Sequence, residues 1–306
     1  MMNYTFISKD SLYHKLNPLC KIVWSMAVVI AALVFNNPVY LTLLFLATAV
    51  IAVYARVFRE WISYMKYGIW FGILIMLINP LFSYHGTHII YEFPFKIPVM
   101  GSLRITLEAL AYGGGMALRL LTIISAFATL TYTVNPDDML NSLTRIRPFY
   151  RSVYVTSLAA RFMPTLVQDS NMITEIQKTR GLDIDSGNLI KKIRNRIPIV
   201  IPLLSNSLDR AIQVSEAMES RAFGCSKKRT FYKDSILSKV EFIIITLTIS
   251  SVLMVAYIKS MGFGDYSYYP TLNPILLTYN EMLLMGGSLG LILSIIPLTK
   301  INSRLG

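Results

Sequence analysis

Six stretches of the chain are almost purely apolar, at about residues 21–35, 38–55, 61–82, 102–134, 236–257 and 281–298, and the segments between them carry the charge. Each stretch reads as a membrane-crossing helix. The first is short for a bilayer at about 1.5 Å per residue, and Asn36-Asn37-Pro38 forces a tight reversal into the second. The fourth is too long for one straight crossing and contains Gly113-Gly114-Gly115, which predicts a break or close helix packing there. Arg119 lies inside this fourth stretch, and Glu108 is three turns away, out of i,i+4 reach. A structural partner elsewhere in the bundle is therefore expected for Arg119.

The exception to this pattern is a polar region from Asp169 to Gly224 that follows a helical period. Polar residues recur at Gln168, Asn171, Glu175 and Lys178, and again at Asn206, Asp209, Gln213, Glu216 and Ser220. Apolar residues oppose them at Phe162, Leu166, Ile173 and Ile176, and at Leu204, Leu208, Ala211, Met218 and Ala222. Two amphipathic arms result, from about Phe149 to Arg180 and from about Leu189 to Arg221, with kinks expected at Pro164, Pro198 and Pro202. Their endings repeat one phrase: Thr174-Glu175, four residues, then Arg180-Gly181-Leu182, and Ser215-Glu216, four residues, then Arg221-Ala222-Phe223. A cation suits the negative end of a helix, and Gly181 suits the left-handed position beyond it. Two such ends on consecutive arms of one hairpin also look built to enter an acidic surface.

Thr133-Val134-Asn135-Pro136-Asp137-Asp138 is a helix start, with an Asn cap, Pro at the first position and two acids at the positive dipole end. A short helix to about Ile146 is expected before Pro148. Leu182 to Asn188 is the link between the arms, and Cys225 to Asp234 a basic exit loop. The second arm opens with Lys191, Lys192, Arg194 and Arg196, a set that suits anionic headgroups.

At 54% hydrophobic and 15% charged residues, with mean hydropathy +0.52, the 306-residue chain is an all-α integral membrane protein rather than a soluble domain. The net charge of +12 does not point to nucleic acid, because 17 of the 29 Lys and Arg fall between Asp137 and Glu241. That clustering marks a cytoplasmic face. Placing both termini and the arms inside satisfies the charge bias at every loop, with the 83–101 and 259–280 loops outside. Cys20 and Cys225 are far apart and indicate no disulfide framework. The first apolar stretch is read as a retained helix, not a cleaved signal.

With these residues in hand, the chain resembles the transmembrane (T) component of energy-coupling factor transporters, the family that includes the CbiQ proteins. That family carries an X-Arg-X motif at the tip of each of two cytoplasmic coupling helices, matched here by Thr179-Arg180-Gly181 and Ser220-Arg221-Ala222. The arginines match; the usual preceding Ala is replaced, and Ala222 stands for the usual Gly or Ser. Leu16-Asn17-Pro18-Leu19-Cys20-Lys21 is similar to the family's opening Leu-Asp-Pro-Arg-x-Lys run, with Asn17 for Asp and Leu19 for Arg. The resemblance covers about residues 16–258.

It implies membrane helices over 1–134, cytoplasmic coupling helices over 135–234, and two further membrane helices over 235–306. It also implies that Arg180 and Arg221 each dock into an ABC-type ATPase subunit, that Glu175, Glu216 and Glu219 support the tips or meet the partner, and that a membrane substrate-binding (S) component completes a prokaryotic importer. The family's cargoes are vitamins and cobalt or nickel ions.

No Gly-x-x-x-x-Gly-Lys-Ser/Thr loop is present, so the chain is not expected to bind and hydrolyse ATP by itself. The resemblance implies a non-catalytic subunit with no cofactor of its own, ATP and Mg²⁺ being held by the partner ATPases. His85-Gly86-Thr87-His88 has a metal-like spacing, but without Cys or acids nearby it is read as no metal site. The competing reading is a self-sufficient carrier or channel whose cytoplasmic hairpin is regulatory. A membrane enzyme would require metal at the two-His loop.

Overall fold

Two Asn-Pro pairs set the first two helices. Asn17 and Asn37 each accept a hydrogen bond on the side-chain oxygen from the N–H two residues on, at 3.1 and 3.0 Å, with proline at the first helical position. The resulting α1 (Pro18–Val34) and α2 (Pro38–Tyr54) have 17 residues each. At about 1.5 Å per residue they reach roughly 25 Å, less than the ~30 Å apolar core of a bilayer. The computed structural model describes residues 9, 11–82, 86–97, 101–143, 150–182, 188–225, 238–272 and 278–305. Outside them lie His85, the short-helix residues beyond Leu143 with Pro148, the middle of the arm-to-arm link and the exit loop after Cys225.

Among the described residues, four helical stretches are long and apolar enough to cross a membrane: Phe58–Pro80, Leu107–Thr133, Lys239–Ser260 and Tyr279–Ile301. They belong to α3 (Phe58–Phe82), α4 (Leu107–Thr133), α8 (Lys239–Ser260) and the pair α9 (Tyr279–Leu293) and α10 (Ile295–Leu305). The sixth apolar stretch, expected as one helix, is thus interrupted at Ser294. Helix α5 (Pro136–Leu143) follows α4.

By internal contacts the chain divides into two units, residues 1–142 with 235–306, and residues 143–234. In the first, α4 packs against α1, α2 and α3, while α8 packs against α1 and α9. Polar side chains tie these apolar faces together. Trp61 Nε1 donates to Ser125 Oγ at 2.8 Å, the Thr48 and Ser125 hydroxyls lie 2.6 Å apart, and Trp24 Nε1 donates to the Ile292 carbonyl. Such bonds supply contact energy that apolar burial cannot provide between helices in lipid. The Gly113-Gly114-Gly115 run does not break α4 but permits close approach. A Cβ at Gly113 would stand 3.0 Å from Met76 Cα, and one at Gly115 would lie within overlap of the Tyr268 hydroxyl.

The shortness of α1 explains Arg119. The last carbonyls of a helix have no intrahelical donor, and in a bilayer water cannot serve them. Arg119 Nε donates to the Ala32 carbonyl at 3.1 Å, and its Nη2 donates to the Phe35 carbonyl at 3.0 Å and to Asn36 Oδ1 at 2.6 Å. The cation also sits at the negative end of the α1 dipole. The loop after α8 closes over the same reversal: Asn36 N donates to the Gly264 carbonyl and Tyr268 Oη to the Asn36 carbonyl. Burial pushes the Tyr268 phenol up to about 12, so it stays a neutral donor. At the other end of the bundle Lys21 does a similar service, donating to the Thr133 carbonyl at the end of α4 and to the His14 carbonyl.

The structure corrects the expected start of the fourth apolar helix. Residues 102–106 are not helical: Ile89–Ile97 (β1) and Gly101–Thr106 (β2) form an antiparallel hairpin, with Ile89 opposite Thr106 and Tyr91 opposite Ile105. β-Branched and aromatic residues at alternate positions favour this pairing over a helical turn. Thr106 then caps α4, and the fully buried Glu108 anchors the hairpin by accepting from the Thr87 hydroxyl and the His88 N–H. His88 is therefore drawn to a carboxylate within its own unit, 2.7 Å from Nδ1 to Oε1.

Candidate functional site: two arms and their arginine ends

The second unit contains the two arms, α6 (Tyr150–Thr179) and α7 (Leu189–Ser220). Three contacts fix their direction. Tyr154 lies against Met218 and Phe223, Asp169 pairs with Arg210 at 2.8 Å, and Gln177 Nε2 donates to the Pro198 carbonyl at 3.3 Å. Rising numbers on one helix meet falling numbers on the other, so the arms run antiparallel. Each arginine terminates its own helix, and the two therefore stand at opposite ends of the pair, on the order of 45 Å apart for a helix of 30 residues.

The repeated phrase in the sequence is also a repeated structure. The Thr174 and Ser215 hydroxyls each donate to the carbonyl four residues back, and the Thr179 and Ser220 hydroxyls to the carbonyl three back. Gly181 and Ala222 both adopt the left-handed conformation, with φ of 84° and 56°. Beyond them Leu182 N donates to the Gln177 carbonyl and Phe223 N to the Met218 carbonyl, while Gly181 N and Ala222 N reach back to Lys178 and Glu219. These pairs of bonds make a Schellman motif at each end, with the arginine as the last helical cap. The two ends differ in one respect, since Ala222 holds a Cβ where glycine has none. Ala222→Gly is expected to stabilise the unit by about 0.5–1 kcal/mol, after subtracting the entropy glycine adds to the unfolded chain. Chemical denaturation of the purified protein checks the sign.

The Arg180 and Arg221 side chains are exposed, as are Thr179, Ser220, Glu175, Glu216 and Glu219. Among the described residues neither guanidinium forms a salt bridge, with those glutamates or with any other acid. An uncompensated guanidinium held at a rigid helix end is a bidentate donor for a carboxylate on another surface.

One turn before Arg180, Gln177 solves a problem created in the other arm. Pro202 has no N–H, so the Pro198 carbonyl loses the intrahelical donor it would otherwise have four residues on. The Gln177 amide supplies it. Two prolines four apart in α7 signal a freed carbonyl, but only the antiparallel register reveals its donor. Gln177→Leu is expected to cost about 0.5–1.5 kcal/mol by removing the donor to that half-buried carbonyl. Pro202→Ala, which restores an N–H inside α7, should remove most of the penalty. A double-mutant cycle on unfolding free energies measures this, and simple additivity of the two changes would contradict the assignment.

Residues 9–232 match the model of a family described as CbiQ, cobalt transport protein. Among similar proteins are three named energy-coupling factor transporter transmembrane protein EcfT. That of Streptococcus thermophilus is 30% identical over 264 residues, covering 83% of this chain and 97% of the relative. Those of Lactococcus lactis and Ruminiclostridium cellulolyticum are each 29% identical, covering 85% and 80% of this chain and 98% and 91% of the relatives. Together with the apolar helices, these matches identify a multi-pass membrane protein of transport. The chain belongs to the CbiQ family, as a transmembrane T component of an energy-coupling factor transporter.

Proposed function

We propose that the chain couples ATP hydrolysis to uptake by gripping two cytoplasmic ABC-type ATPase subunits, one at Arg180 and one at Arg221. The observation that carries this reading is the pair of exposed arginines on helix ends that share one hydrogen-bonding motif, facing away from one another. Each guanidinium enters an acidic groove of its own ATPase, and Glu175, Glu216 and Glu219, free of any ion pair with either arginine, meet basic residues around it. ATP and Mg²⁺ are bound and used by those partners. Both termini and the arms face the cytoplasm of a prokaryotic cell, in keeping with the concentration of Lys and Arg over residues 137–241.

The contacts between the arms give motion a route. Displacement at Arg180 reaches α7 through Gln177 and the Pro198 carbonyl, and displacement at Arg221 reaches α6 through Met218, Phe223 and Tyr154. A membrane S component rests on apolar side chains that the arms leave exposed, such as Met163 and Met172 on α6 and Leu208 and Ile212 on α7. Movement of the arms tips it to release its cargo, a vitamin or a cobalt or nickel ion chosen by the S component. Reconstitution tests the scheme. Uptake into proteoliposomes is expected only when ATPases, S component and ATP are all present, and flux through the purified chain alone would replace this reading with a self-sufficient carrier.

A further inference from the structure

Helix α7 is electrically divided. Residues 189–204 carry Lys191, Lys192, Arg194 and Arg196 and no acid, whereas residues 205–220 carry Asp209, Glu216 and Glu219 against Arg210. The first half also exposes an apolar row: Ile190 at 82%, Ile193 at 68%, Ile197, Val200, Ile201 at 62% and Leu204. At 100° per residue these positions fall within an arc of about 100°. Ile199, on the opposite side, is the buried residue of this segment, and the helix there faces α6. The greasy row thus points away from the companion arm. Lys191 and Arg194 flank it on one side and Arg196 on the other, all exposed.

We propose that residues 190–204 of α7 dock onto the anionic surface of the bilayer, the isoleucine row sinking to the headgroup boundary and the flanking cations reaching lipid phosphates. An apolar stripe bordered on both sides by long basic side chains is the pattern of a helix lying in a membrane interface, where the stems of Lys and Arg stay in apolar surroundings while their heads reach phosphate. The absence of acids along these residues selects an anionic lipid over a zwitterionic one. The acidic second half does not share the surface, so docking pins one end of the arm pair. The proposal stands apart from ATPase gripping, which it neither requires nor implies.

The test uses the full chain with Cys225→Ser, since Cys225 is exposed and Cys20 is buried. A fluorophore is attached at Ile193→Cys, or at Ala217→Cys as control, in nanodiscs of phosphatidylcholine with or without phosphatidylglycerol. With phosphatidylglycerol, the probe at 193 is expected to be quenched by nitroxide-bearing lipid and shielded from aqueous iodide, and the probe at 217 to stay open to iodide. Each cation near an anionic surface is worth about a fivefold change in partition, so Lys191→Gln with Arg194→Gln should shift the balance toward water by about 25-fold. Raising the salt of the parent protein to 1 M, where the screening length falls to about 3 Å, should weaken the lipid quenching without any substitution. Equal quenching in both lipids at all salt concentrations overturns the proposal. So does a probe at 193 that is shielded only after ATPases and S component are added, which would assign the surface to a protein.

Discussion

Replacing Arg180 and Arg221 together by glutamate is expected to abolish co-purification of the ATPase subunits and, with it, ATP-driven uptake. Removing one partner of a desolvated interfacial charge pair costs on the order of 2–5 kcal/mol, which is roughly 30-fold to several-thousand-fold in affinity for each site. Reversing the charge adds repulsion from the acidic groove. The fold itself has little to lose. Among the described residues neither arginine makes a salt bridge, and what each contributes to its own helix end is at most the dipole term, about 0.3–1 kcal/mol. The two quantities are well separated. A variant that unfolds like the parent but no longer holds the ATPases assigns the arginines to the interface. A variant that keeps both ATPases returns them to simple caps. Single alanine substitutions should retain one ATPase contact, because the antiparallel arms place the two ends far apart.

Arg119→Ala is expected to be the most damaging single change within the membrane unit. It removes the donors to the Ala32 and Phe35 carbonyls and to Asn36. Each buried carbonyl left without a donor costs about 1–3 kcal/mol, so a loss on the order of 3–5 kcal/mol follows. Against a total stability of about 5–15 kcal/mol for a typical protein, that is a large share. Arg119→Lys should recover only part of it, since a single ammonium cannot fork across acceptors on two sides as the guanidinium does. Thermal unfolding of the nanodisc-embedded protein measures both. If alanine and lysine each stay within 1 kcal/mol of the parent, the arginine is not what completes α1.

The apolar helical stretches, apart from the start of the fourth and the interruption of the sixth at Ser294, and the helix starts at Asn17-Pro18 and Asn37-Pro38 were legible because their causes are local: hydropathy, capping and the fixed φ of proline. The left-handed Gly181 was legible for the same reason, whereas the left-handed Ala222 was not, because residue type argues against it. The hairpin at 89–106 was not, since two short strands satisfy one another across the turn and leave a weak pattern along the chain. Arg119 announced itself as a charge in an apolar run. Two of its acceptors are main-chain carbonyls 84 and 87 residues away, and another is the neutral amide of Asn36, so no acid along the chain marks the partner. The separation of the arginine ends was hidden too, because sequence shows two arms ending alike and only the register of Gln177 with Pro198 and Tyr154 with Met218 shows them pointing apart.

Photo-cross-linking from the residue before each arginine is the most direct measurement. Benzoylphenylalanine at Thr179 or Ser220, introduced into the assembled transporter, is expected to yield an adduct with an ATPase subunit at both positions, and with both copies only when both positions are substituted. Adducts confined to lipid or to the chain itself at either position would contradict the account.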